Sequence, residues 1–116
     1  MTKRGDIFWA NIAPRSGSEQ QGRRPVIVIS HDAFNQVQNW RSIIVIPIST
    51  SNSQARRSLT VVPIPQGIGN LSQNSFALCH QVTTLDRSKF ERQIGSLPET
   101  TMQEIEEGLK AAMDLS

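Results

Sequence analysis

The densest chemistry in the chain lies in Gly17-Ser18-Glu19-Gln20-Gln21-Gly22-Arg23-Arg24-Pro25, which runs straight into Val26-Ile27-Val28-Ile29-Ser30. Small residues here carry one carboxylate, two amides and two guanidinium groups, and an apolar β-type run follows at once. Polar loops fixed to a rigid strand are where binding sites are commonly built. Two forks of N–H donors suit an anion such as a phosphate. The same composition also fits an ordinary polar hairpin. Elsewhere, the hydroxyls of Ser49 and Thr50 close a second apolar run, and His31 and His80 each follow one. Imidazole titrates near neutrality, so the two histidines offer an acid and a base, against the plainer roles of base contact or strand-end residue.

Other chemistries lack their residues. There is no phosphate-binding Walker loop and no dinucleotide fingerprint. Cysteine and histidine do not cluster at zinc spacing, and HExxH is missing. Asp6, Asp32 and Asp86 are scattered, with no acidic motif for two-metal phosphodiester cleavage. No metal and no cofactor are therefore expected. Cys79 sits in an apolar run and is expected to be a buried, inert thiol.

With 116 residues the chain is expected to form a single domain over residues 1–116, large enough to bury a core without a disulfide or metal staple. A lone cysteine rules out an intrachain disulfide and fits a reducing, cytoplasmic setting. Asp6 interrupts any leader-like start, and no apolar run approaches the roughly 18 residues of a membrane span. The formal net charge of +2 is mild for a nonspecific nucleic-acid binder. Its distribution is uneven: Arg15, Arg23, Arg24, Arg56 and Arg57 fall in two basic segments, while Glu99, Glu104, Glu106 and Glu107 gather near the C-terminus.

The elements that must hold these groups are mostly short strands. Alternation predicts a strand over Asp6–Ile12, with Phe8, Ala10 and Ile12 on one face and Ile7 and Trp9 on the other. Further strands are expected over Val26–Ser30, Ser42–Ser49, Ser58–Ile64 and Ser75–Val82, with Pro63 marking an edge. His31–Gln38 is either a short helix or an irregular excursion, a helical turn is expected around Asp86–Phe90, and Gln93–Gly95 is a short closing strand. Met102, Ile105, Leu109, Ala112 and Met113 recur at helical spacing. Ser96 and Glu99 have capping-box spacing before them, and Pro98 suits a first turn. Packing of this stripe on the sheet is expected. Short strands followed by one helix predict a mainly β fold with a small curled or barrel-like antiparallel sheet.

In order along the chain stand Arg4-Gly5-Asp6-Ile7, Gly17-Ser18-Glu19-Gln20 with Arg24-Pro25-Val26, Val45-Ile46-Pro47-Ile48-Ser49-Thr50-Ser51, His80-Gln81-Val82-Thr83-Thr84-Leu85-Asp86, and Ile94-Gly95-Ser96-Leu97 before the helix. As an ordered set over nearly the whole chain, these resemble the MazF/PemK-type toxins, the ribonuclease half of bacterial toxin–antitoxin pairs. The resemblance implies an SH3-like (CcdB/PemK-type) antiparallel β-barrel acting as a homodimer. It implies metal-independent, sequence-specific cleavage of single-stranded RNA, chiefly mRNA, by the RNA's own 2′-OH, leaving 2′,3′-cyclic phosphate and 5′-OH ends. It also implies a cognate antitoxin whose tail, usually acidic and disordered until bound, blocks the RNA groove.

Such a reaction needs a proton acceptor, a proton donor and a cation for the phosphorane. By resemblance Arg24 stands at the family's catalytic arginine. A guanidinium can hold two phosphate oxygens but, with a pKa above about 12, makes a poor base. Ser49 aligns with the family's catalytic threonine, a departure from the common pattern, with Thr50 beside it. Successive strand residues face opposite ways, so one of the two reaches the site unless the strand ends between them. Ser49 is the expected catalytic hydroxyl and Thr50 the alternative. Ser18, Glu19, Gln20, Arg23, His31, His80 and Gln81 are the expected RNA contacts, with Glu19 also a candidate base. Trp40, between Asn39 and Arg41, is a candidate stacking platform or dimer contact, or a residue on the core's rim. Two other functions share the fold: a CcdB-like toxin that inhibits DNA gyrase without cleaving anything, and an inactive relative that binds RNA or antitoxin. Arg24-Pro25 and the Ser49 strand end favour the nuclease, because a protein-binding toxin needs no phosphate-gripping arginine there.

Overall fold

A run of β-branched residues makes Ser42–Ser49 (β3) the natural centre of a sheet, and three strands compete for its two edges. A computed structural model of the chain describes residues 2–12, 22–53 and 59–115. Its strands are β1 (Asp6–Ile12), β2 (Gly22–Val28), β3, β4 (Val61–Ile64), β5 (Ser75–Leu78), β6 (Thr83–Asp86) and β7 (Phe90–Ser96). The helices are α1 (Asp32–Asn35) and α2 (Glu99–Met113). All strands join in one antiparallel path, β4-β5-β3-β2-β1-β7, with β6 added on β3. Among the described residues no ladder joins β7 to β4, so the curled sheet is barrel-like without hydrogen-bonded closure. No described helix is long and apolar enough to cross a membrane.

Prolines mark the edges of this pairing. Pro47 faces Val26 of β2 on one side; on the other it lies between Val45, the last partner of β6, and Ile48, the first partner of β5. Its missing N–H thus falls in the gap where β3 changes partner. Pro63 lies on β4, an edge strand, as its presence predicts. Pro25 pairs with Trp9 of β1, just before the β3 ladder begins at Val26.

Both faces of the sheet are buried. Ile7, Ile27, Ile46 and Ile48 pack with β4, β5 and the α2 residues Met102 and Ile105. Ala10, Ile12, Val26, Val28, Ile43 and Val45 pack on the opposite face under Leu85, with Phe8 and Phe90 stacked 5.3 Å apart beside them. At about 1.5–3 kcal/mol for each fully buried aliphatic side chain, these two layers are the main source of stability. Cys79 belongs to the first, where burial pushes its thiol up to about 11 and suppresses the reactive thiolate.

Several expectations shift in detail. β2 starts at Gly22, not Val26, so Arg23 and Arg24 are strand residues paired with Asn11 and Ala10. The expected Ser75–Val82 strand stops at Leu78 and turns through a 3-10 segment, Cys79–Gln81, and the strand expected from Ser58 is seen only from Val61. β6 was not anticipated, because Thr83–Asp86 becomes a strand only by pairing with β3. Ser96 does not cap α2. Pro98 is the cap residue, without a side-chain bond, while the Ser96 hydroxyl donates to Asp6 Oδ1 at 2.9 Å. Of the helix stripe, Met102 and Ile105 are buried and Met113 is exposed.

One close approach shapes the ground beside β7. Gly69, at φ +63°, and Gly95 bring the 3-10 turn Ile68–Asn70 against the strand, and a Cβ on Gly95 would collide with the Gly69 carbonyl. Asn70 Nδ2 donates to Ile94 O at 2.9 Å and holds the turn there. Gly95→Ala is expected to lower the unfolding free energy by about 1–3 kcal/mol, read as a lower urea midpoint with an unchanged slope.

Candidate functional site

The N-terminal half of β2, the C-terminal end of β3, the start of β5 and the middle of β7 converge on one open cavity of about 590 Å³. β1 and β2 contribute Trp9, Arg23, Arg24 and Pro25; β3 and the residue after it contribute Ile48 and Thr50. The turn pinned by Asn70 supplies Asn70, Leu71, Ser72 and Gln73, with Ser75 behind it, and β7 supplies Arg92, Gln93 and Ile94. Three guanidinium-bearing residues and a rim of amides and hydroxyls surround a small apolar floor. Such a lining favours a polyanion that also carries hydrogen-bonding edges.

The pairing explains why Arg24 is there. It sits opposite Ala10 on β1, two residues before the Val26–Pro47 pair, so the β2–β3 ladder carries it to the level of the end of β3. β3 ends at Ser49, the case in which alternation no longer governs the next residue. Ser49 is buried, and its Oγ accepts the Ser51 N–H at 3.1 Å, terminating the strand with a local turn. Thr50 is exposed and lines the cavity. Of the two expected hydroxyl residues, Thr50, the alternative, lines the cavity, while Ser49 is buried at the strand end.

Arg23 is already engaged. Its Nε donates to Glu91 Oε1 at 2.5 Å, and its Cζ lies over the Trp9 ring, 4.3 Å from the centroid. Arg92 makes no ion pair or hydrogen bond among the described residues and stands across the cavity on β7. Trp9, Arg92, Gln93 and the Asn70–Gln73 wall were not singled out from sequence. The one available signal was Trp9, a large aromatic at the middle of its strand, facing the same side as Ile7.

Neither histidine lines the cavity. β2 carries Arg24 at one end and hands on to His31 past the other, and β5 separates Ser75 from His80 in the same way. At about 3.3 Å per residue, four steps from Arg24 to Val28 already span about 13 Å. His31 caps α1, its Nδ1 accepting the Ala33 N–H at 2.8 Å. His80 Nδ1 lies 3.3 Å from Thr60 Oγ1, and Gln81 shares its turn. Trp40 packs on Phe34, 4.9 Å between ring centroids, also outside the cavity. Ser18, Glu19 and Gln20 lie outside the described residues.

Residues 3–113 match the family model described as PemK-like, MazF-like toxin of type II toxin-antitoxin system. The chain belongs to this family. It is 30% identical over 112 residues to "Endoribonuclease MazF6" of Mycobacterium tuberculosis, covering 97% of this chain and 96% of that protein. Its fold superimposes on MazF from Deinococcus radiodurans with a TM-score of 0.79 at 25% identity, covering 97% and 96% of the two chains. It also matches the fold of a mycobacterial endoribonuclease solved in complex with its cognate antitoxin, with a TM-score of 0.80 at 17% identity over 100% and 98%. In this PemK/MazF-like chain Arg24 and Thr50, the alternative hydroxyl, line one cavity, and neither His31 nor His80 lines it. In an RNA cleavage assay, His31→Ala and His80→Ala should each stay within a few-fold of the parent across the pH–rate profile. A loss of a hundredfold in either would restore the imidazole mechanism.

Proposed function

We propose that this chain is the endoribonuclease toxin of a toxin–antitoxin pair, cutting single-stranded RNA, chiefly mRNA, at a short sequence. The observation that carries this is the shared cavity of Arg24 and Thr50 in a PemK/MazF-like chain. In the reaction the 2′-oxygen attacks the adjacent phosphorus, and its proton passes to a base. The bond from phosphorus to the 5′-oxygen breaks, the leaving oxygen takes up a proton, and the ends are a 2′,3′-cyclic phosphate and a 5′-OH. Arg24 acts on the charge: its N–H fork binds non-bridging oxygens and stabilises the phosphorane more than the diester. Thr50 donates a hydrogen bond to the same group, and Ser49 supports it by terminating β3. Glu19, which precedes the arginine in sequence, is the proposed base. The chain works as a homodimer in the cytoplasm without a metal. An acidic antitoxin tail would occupy the same cationic cavity, in keeping with the antitoxin complex solved for a mycobacterial relative of this fold.

The test is incubation with defined single-stranded RNA in EDTA, with mapping of both new ends. Cyclic-phosphate fragments are expected. Arg24→Ala should lower kcat by about 10²–10³-fold, and Arg24→Lys should recover little, because a point charge lacks the fork. Thr50→Val should cost about 10²-fold in kcat and Ser49→Ala only a few-fold. If Ser49→Ala is the more damaging, the two hydroxyls exchange roles. If no RNA is cut and DNA gyrase is inhibited instead, the nuclease assignment falls.

A further inference from the structure

Within the cavity, Arg23 is held in a way that folding does not require. Its pair with Glu91 is well exposed, with the two side chains 52% and 41% accessible, so it contributes little to stability. Yet the two contacts together fix a normally mobile guanidinium. Glu91 on β7 holds Nε, and Trp9 on β1 lies beneath Cζ at 4.3 Å. The indole is half-buried, and both Trp9 and Arg23 line the cavity. Unpaired RNA bases are gripped by stacking on aromatic rings or on arginine planes, and such platforms accept every base because each has a π-face. Arg23 is also the neighbour of Arg24 along β2, and both line the cavity, so a base held at the first lies next to a phosphate held at the second.

Resting on the ribonuclease assignment, we propose that Trp9 and Arg23, tethered by Glu91, form a stacking subsite for the unpaired base next to the scissile phosphate. The subsite contributes affinity and excludes duplex RNA, but it does not select among bases. Selection falls to the amide wall, where Asn70 and Gln93, whose N–H groups bond Ile94 O and Gly95 O, keep amide oxygens as acceptors and Gln73 adds a further amide.

The experiment uses the full chain with Trp40→Phe, which leaves Trp9 as the sole indole; Trp40 lies outside the cavity. Indole emission is titrated with oligo(A), oligo(U), oligo(C) and a blunt RNA duplex. Saturable quenching by each single strand and none by the duplex is expected. In cleavage assays, Arg23→Ala and Trp9→Leu should raise KM about tenfold for every substrate, with kcat and the cut position kept. Trp9→Phe should recover most of the loss, and an unchanged thermal midpoint for Arg23→Ala separates binding from folding. If Trp9 emission is unmoved by strands that the protein cuts, or Arg23→Ala leaves KM unchanged, the subsite is wrong while the ribonuclease stands. If no RNA is cut but single strands still quench, the ribonuclease assignment falls and the subsite survives as an RNA-binding surface.

Discussion

Along one edge β3 bonds to β2; along the other it bonds to β6 as far as Val45 and to β5 from Ile48 onward. Pro47 lies between those partners with no N–H to offer either of them. That gap lets the second half of β3 leave the plane shared with β6 and carry β5 and β4 over the isoleucine layer. The cavity depends on it. The handover brings the end of β3 level with Arg24 on β2 and with Ser75 at the start of β5, and the outer strand β7 completes the wall.

Because apolar layers cover both faces of the sheet, stability does not rest on the polar rim. α2 shows the same priority. It has no side-chain cap at Pro98, and it is held by Met102 and Ile105 in the core and by Arg4, whose guanidinium lies 3.0 Å from Glu106. Near the other end of β2, Asn35 and the Arg4 N–H hold the Asp32 carboxyl below its ordinary range, and His31 caps α1 beside them. Polar groups that would otherwise compete for a catalytic role are thus used to close turns. The cavity is lined by arginines, amides and the hydroxyl-bearing residues Thr50, Ser72 and Ser75.

Much of this was legible because it is local. Alternation in Asp6–Ile12 and the β-branched run Ser42–Ser49 set both strands residue for residue, and Pro63 marked an edge. Where ladder partners decide, local signals mislead. Gly22, Arg23 and Arg24 are poor strand formers made into a strand by β1, and Thr83–Asp86 needs β3. Ser96 has capping-box spacing, yet Asp6 takes its hydroxyl from across the sheet.

The sequence by itself determined the class of chemistry: a pair of arginines leading into a strand that suits an anion, no metal-binding pattern, and an ordered set of motifs belonging to one toxin family. Only the tertiary structure decided which groups meet. A residue's type follows from its codon, but its direction at a strand end follows from where the ladder stops. Ser49, the last residue of β3, is buried, and Thr50, the first residue past it, is exposed on the cavity. Trp9, Arg23 and Glu91 are remote in sequence and become neighbours only because β1 pairs with both β2 and β7.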